Sequence, residues 1–188
     1  SNPAEDMAAF IADAKENDKT ITWGTSGAAT MHATIGHVFF DANGIKHKKV
    51  PFAGGSKARA ALVSQSVDAV FGGVNTLPGF ESDIRALASA GAERDPMAPD
   101  LGTFSEQGTA GIEFTGLMCL FAANGVSDEV KADIGAAIEA VAGIEGYGKY
   151  MGQNDLASFY TNAADAAAAQ DVMFDVMGPV VAEIIANQ

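Results

Sequence analysis

Gly24-Thr25-Ser26-Gly27-Ala28 sets a serine between two glycines. It is one alanine away from the G-x-S-x-G elbow that exposes a nucleophilic hydroxyl in a strand-to-helix turn. The apolar start Ile21-Thr22-Trp23 before it and the helical pattern from Thr30 to Phe40 after it supply the right context. What fails is the rest of a triad. In that hydrolase order an acid and then a histidine follow late in the chain, yet the three histidines stand at 32, 37 and 47. An α/β hydrolase-like enzyme using Ser26 therefore stays an alternative without an assembled base. Metal chemistry fares no better: His32 and His37, five apart, fall on different faces of a helix, and no cysteine pair or H-E-x-x-H is present. One is read as a first-turn histidine and the other as a helix-surface histidine. Cys119, the one cysteine, sits in Leu117-Met118-Cys119-Leu120-Phe121 and reads as a small buried hydrophobe. With neither G-x-G-x-x-G nor a P-loop lysine, no nucleotide site is called for. No catalytic residue, metal or cofactor is expected.

What remains are three glycine-rich junctions, Gly24 to Thr30, Ala53 to Ser56 and Gly72 to Thr76, each behind a short β-like run. In an open α/β sheet such junctions share the carboxyl ends of the strands, where ligands bind. Uncapped N–H groups at helix starts suit a carboxylate or phosphate, and Ser26, Thr30 and Ser56 offer hydroxyls. A small anion or polar ligand is the chemistry this arrangement favours over plain βα turns.

The elements that must hold these junctions alternate. A helix is expected over residues 5–17, a strand over 20–25, a helix over 30–40 ended by Asn43-Gly44, and a strand over 47–52 stopped at Pro51. A helix through Ala58, Ala61 and Leu62 follows, then strands over 67–71 and 84–90. That order implies α/β architecture with a parallel sheet and right-handed crossovers. After the loop at 91–99 a strand is expected over 112–122, a helix over 127–144 capped by Ser127, and a helix over about 162–185 kinked at Pro179. The 188 residues, 48% of them hydrophobic, support a folded core despite a formal charge of −13. That charge argues against nucleic acid and anionic membrane surfaces as partners. The basic run Lys46-His47-Lys48-Lys49 reads as a solvated turn before a strand.

Trp23-Gly24-Thr25-Ser26-Gly27, Val50-Pro51-Phe52-Ala53-Gly54-Gly55-Ser56 and Ser66-Val67-Asp68-Ala69-Val70-Phe71 together resemble the tripartite tricarboxylate transporter receptor family, the Bug-type extracytoplasmic solute-binding proteins of bacteria. Ile84-Arg85-Ala86-Leu87-Ala88, the run from Gly116 to Ala123 and the helix beginning at Ser127 keep the family's order, so the resemblance covers nearly the whole chain. It implies a periplasmic-binding-protein-like lobe with a mostly parallel sheet flanked by helices, plus C-terminal helices. It also implies a non-enzymatic, periplasmic receptor that closes on a small organic acid and presents it to membrane permease subunits. A ligand-sensing interaction module is the other alternative. Carried over by position, Thr25, Ser26 and Gly27 match the loop after the second lobe's first strand, Ala28 to Thr30 the helix start, and Gly54, Gly55 and Ser56 the next loop. Asn75 and Thr76 of the third junction complete the expected ligand-binding set.

Two departures remove polarity near the cleft: Phe52-Ala53 stands where the family usually has Tyr-Lys, and Gly72 where it often has Asp. The resemblance further implies that residues 1–115 form the second lobe. Residues 116–188 then supply a crossover strand and helices that pack on a first lobe built from an upstream stretch. On this reading that stretch and the signal peptide are missing, Ser1-Asn2-Pro3 marking a cloning scar or cut site. The C-terminal helices would then expose an apolar face and could pair as a dimer.

Overall fold

The computed structural model describes residues 4–111, 113–114, 116, 118–154 and 156–186, with 183–186 by backbone only. The chain divides into two compact units, residues 1–115 and 116–188.

The first unit is built by strand–helix alternation. Helix α1 (Met7–Glu16) starts at Asp6, whose Oδ1 accepts from the Ala9 N–H at 2.8 Å. Strand β1 (Ile21–Thr25) leads to helix α2 (Met31–Ala42), then strand β2 (His47–Pro51), helix α3 (Gly55–Val63) and strand β3 (Ala69–Phe71). The sheet is parallel throughout, in the order β2-β1-β3. Its register aligns Thr25 with both Pro51 and Phe71, so the three strands end level.

Each turn has a local cause. Asn43 closes α2 by donating its side-chain amide to Phe39 O at 2.8 Å, and Gly44 takes φ +63°, a left-handed conformation that suits glycine. The buried set Met7, Phe10, Ile21, Trp23, Ile35, Phe39, Phe40, Ile45 and Phe104 forms one core. Rings dominate it: Phe39 stacks on Phe104 at 5.1 Å, and Trp23 meets Phe40 at 5.6 Å and Phe71 edge-on at 5.5 Å. Such packing requires Gly36 on α2, where a Cβ would come within 2.5 Å of Trp23 and 2.8 Å of Phe71.

The second unit holds α4 (Asp128–Ala142), α5 (Glu145–Gln153) and α6 (Ala163–Ala186), the last containing Pro179. Ser127 caps α4 by accepting from the Val130 N–H at 3.3 Å, above an acidic first turn.

Several sequence expectations are corrected. The strand expected over 84–90 reduces to a single parallel bridge, Ser89 with Thr103. Its backbone is satisfied elsewhere: Leu87 O accepts from the Gln107 amide at 2.7 Å, and Ser89 exchanges bonds with Gly102 and Phe104. The strand over 67–71 begins only at Ala69, because the Asp68 carboxylate turns back to Thr22, accepting from its N–H at 2.8 Å and its hydroxyl at 2.6 Å. Positions 112, 115 and 117 of the strand expected over 112–122 lie outside the described residues, and the described ones carry no ladder. The basic run is not a turn: His47, Lys48 and Lys49 are laddered residues of β2. Helix α5 has no counterpart in the sequence reading.

Candidate ligand-binding site

Because the strands end level, the loops that follow them converge. Phe52 N–H donates to Thr25 O at 2.8 Å, carrying the β1–β2 ladder one residue past the sheet. Gly54 N–H then reaches Ser26 O at 3.2 Å, tying the second junction to the first. Gly54 holds φ +105°, so a glycine is required at the point where the chain swings into α3. On the third junction the Thr76 methyl lies 3.8 Å from where a Cβ of Gly55 would sit, and its hydroxyl donates to Gly73 O at 2.7 Å. The three glycine-rich junctions anticipated from sequence are thus neighbours.

Within this cluster the expected residues divide by role. Thr25 is fully buried, and its hydroxyl pairs with that of Thr30 at 3.1 Å. Thr30 Oγ1 also caps α2, accepting from the Ala33 N–H at 3.3 Å. These two threonines brace the loop, and since the pair shares one hydrogen bond, one of their two hydroxyl protons remains to donate. Ser26 and Gly27 are half-exposed and Ala28 is exposed. Among the described residues the Ser26 hydroxyl has no hydrogen-bond partner. Gly54 and Gly55 are half-exposed, and α3 starts with no side-chain cap, leaving its first N–H groups turned outward. Ser56 and Asn75 are exposed and Thr76 is half-exposed.

Charge around the junctions is arranged through the backbone. Lys49 Nζ donates to Ala28 O at 3.0 Å. Arg59 donates to Thr76 O at 3.1 Å and lies over the Phe80 ring at 4.1 Å. Segments 21–30, 50–56 and 69–77 contain no Asp or Glu, so in a chain of net charge −13 these three segments carry no acid of their own. What the arrangement can do is accept a small anion on N–H donors and hydroxyls.

Sequence reasoning missed one cluster. His37, Asp41 and His47 bring three potential ligand atoms within 4.8 Å of one another. His47 Nε2 lies 2.9 Å from one Asp41 oxygen and His37 Nε2 3.1 Å from the other. Trp23 Nε1–H donates to His47 Nδ1 at 3.0 Å. That bond needs the Nδ1 lone pair, which puts the proton on Nε2 and directs it at Asp41. A metal on Nε2 would want Nδ1 as a donor, the opposite of what Trp23 imposes. The i, i+4 spacing of His37 and Asp41 was the one sequence signal. Both imidazoles are thereby committed to Asp41, and neither is a base for Ser26.

The comparisons say which kind of α/β unit this is. The family model of the tripartite tricarboxylate transporter family receptor (TctC) matches residues 1–184, and the chain belongs to that family. It is a family of solute-binding receptors and not of enzymes, which removes the Ser26 hydrolase alternative. The chain is 26% identical over 164 residues to the UPF0065 protein in the gbd 5′ region of Cupriavidus necator, covering 86% of this chain and 50% of that protein. A UPF0065 protein from the TAR-I ttuE-ttuC′ intergenic region of Agrobacterium vitis is also 26% identical, over 71% of this chain and 39% of its own length. The chain thus spans about half the length, or less, of these curated relatives.

Among solved structures, R. palustris Rpa4515 with adipate superposes with a TM-score of 0.82 at 18% identity, over 96% of this chain and 61% of that one. MatC (Rpa3494) from Rhodopseudomonas palustris with bound malate gives 0.72 at 21% identity, over 96% and 63%. These likenesses confirm the periplasmic-binding-protein-like α/β fold with its parallel sheet.

Proposed function

We propose that this chain supplies one wall of the ligand site of an extracytoplasmic receptor for a small carboxylate, working with the membrane permease subunits of a tripartite tricarboxylate-type transporter. The observation that carries the reading is the convergence of three acid-free, glycine-rich loops at level strand ends, with α3 opening onto them uncapped. Membership of the TctC family, and adipate and malate in two fold neighbours, support the choice of a carboxylate. Ser26, Gly27, Ala28, Gly54, Gly55, Ser56, Asn75 and Thr76 are proposed to face the ligand, with Thr25 and Thr30 bracing them. A charge-assisted hydrogen bond is worth about 1.5–3 kcal/mol, so a few such donors suffice for recognition.

Residues 1–115 are proposed as the second lobe of a two-lobed receptor. In that arrangement the helices of 116–188 pack on a first lobe. The support is one of proportion: the superpositions account for 95–96% of this chain but 60–63% of the solved chains. A periplasmic location follows from the same reading; among the described residues, no helix is long and apolar enough to cross a membrane.

Calorimetric titration with mono-, di- and tricarboxylates tests the receptor reading, run on this chain and on one extended by a family first lobe. Saturable binding by either protein, weakened by Ser26→Ala, is expected. Absence of heat from both, across the whole panel, rejects it.

A further inference from the structure

We infer that His32 is a ligand-contacting residue of the strand-end site, its imidazole offered to the group held by the Ser26 and Gly72 loops. The inference rests on the receptor reading above and adds a side chain that neither the family motifs nor the junction pattern singled out.

The argument begins with α2. Its N-terminus is pinned over the end of β1 by the Thr25–Thr30 hydroxyl pair. Its inner face is fixed by Gly36, which lies directly against Trp23 and Phe71. His32 is four residues earlier and therefore on the same face, one turn or ~5.4 Å nearer the helix N-terminus. A helix returning between parallel strands runs against them, so that turn carries His32 beyond Phe71, the last residue of β3, toward Gly72 and Gly73. The backward lean of helical side chains adds to the overhang.

The ring's surroundings fit a contact role. His32 is half-buried, and burial lowers its pKa from the ordinary histidine value, so it meets a ligand as a neutral ring with one donor and one acceptor nitrogen. Among the described residues it has no hydrogen bond, ion pair or ring contact. His37 and His47 differ, since both are bonded to Asp41. The charged groups on the elements around the strand ends are Asp41 on α2, Lys48 and Lys49 on β2, and Lys57 and Arg59 on α3, and residues 69–77 carry none. Lys49 and Arg59 are bonded to loop carbonyls, which leaves His32 as a side chain with uncommitted polar atoms at this mouth. A polar group half-removed from water without a protein partner is costly unless ligand or water completes it.

The test is ring-nitrogen NMR of the three histidines while the chain is titrated with adipate, malate and a panel of mono- and tricarboxylates. His37 and His47 serve as internal references. The expected result is a saturating shift of the His32 ring alone. His32→Ala should then weaken binding of the responding acid about tenfold to a hundredfold, with His32→Gln recovering part through its amide donor. If the amides of Gly27, Gly54 and Gly55 shift while the His32 ring stays still, the His32 contact is overturned and the receptor reading stands. Unchanged affinity in a folded His32→Ala protein overturns it equally. No response of ring or amide to any acid, in this chain and in the one extended by a family first lobe, removes both the contact and the reading on which it rests.

Discussion

Among the described residues, the first unit keeps nearly all its large apolar side chains buried or half-buried, whereas the second leaves most of its own in solvent. In the first unit Val63 is the one large hydrophobic among the described residues that counts as exposed, while Trp23 and Phe40 are fully buried. In the second unit Met177 is the one buried hydrophobic among the described residues. Val130, Ile134, Ile138 and Val141 of α4, Tyr150 of α5, and Val172, Phe174, Val176 and Val181 of α6 are all exposed. Both units nonetheless form regular elements, with α1, α2 and α4 capped by side chains. Helices such as α4 and the alanine-rich α6 are favoured by their own propensity and caps, but a core needs facing surfaces. Local sequence is enough to write a helix and not enough to give it something to pack on.

Four experiments break or sharpen that contrast. The largest effect is expected from Phe39→Ala. Phe39 is 1% exposed and touches the rings of Phe40, Phe71 and Phe104, so its loss should cost about 3–5 kcal/mol in urea unfolding. Next comes Gly36→Ala, which forces a methyl against Trp23 and Phe71 and should cost about 1–3 kcal/mol. A thermal midpoint equal to that of the parent would show the α2–sheet packing to be looser than described.

In the second unit, Ile134→Ser or Phe174→Ser should change stability by no more than about 0.5 kcal/mol. Light scattering should show these variants associating less than the parent as concentration rises, because exposed apolar stripes attract one another. A loss as large as that of Phe39→Ala would mean that the helices already have a core of their own.

The smallest effect is on pH. Burial lowers the His32 pKa in the fold, so on acidification the unfolded chain takes up the proton first. Stability from this group is intact above the ordinary histidine value and is lost as pH falls through the lowered one. His32→Gln should therefore close part of the gap between urea midpoints measured at about pH 7.5 and about pH 5.

The legible part of the fold is the part written by period and punctuation. Thr30 before an apolar face and Asn43-Gly44 after it gave α2, and three short apolar runs ahead of glycines gave β1 to β3 in parallel. The run at 84–90 looked equally β-like, but a strand also needs a free neighbour, and its polar backbone is taken by Gln107, Gly102 and Phe104. Helix α5 was hidden by Gly146, Gly148 and Gly152, three poor helix formers in nine residues.

For the site, the kinds of residue were readable and the division of labour was not. Nothing in Thr25 or Thr30 taken alone says that their hydroxyls face each other, because that depends on how α2 docks on the end of β1. His47 meets Asp41 across the Asn43-Gly44 turn, where no single-helix spacing would have joined them.

Strand β2 is an outer strand of the sheet, and it carries Lys48 and Lys49 behind Lys46. An outer strand is ordinarily a template on which another chain can extend the ladder, and repeated ammonium groups are among the means by which proteins deter this. Two copies meeting edge to edge here would have to bring those lysine rows together. Amyloid-like growth from this side of the sheet is therefore discouraged.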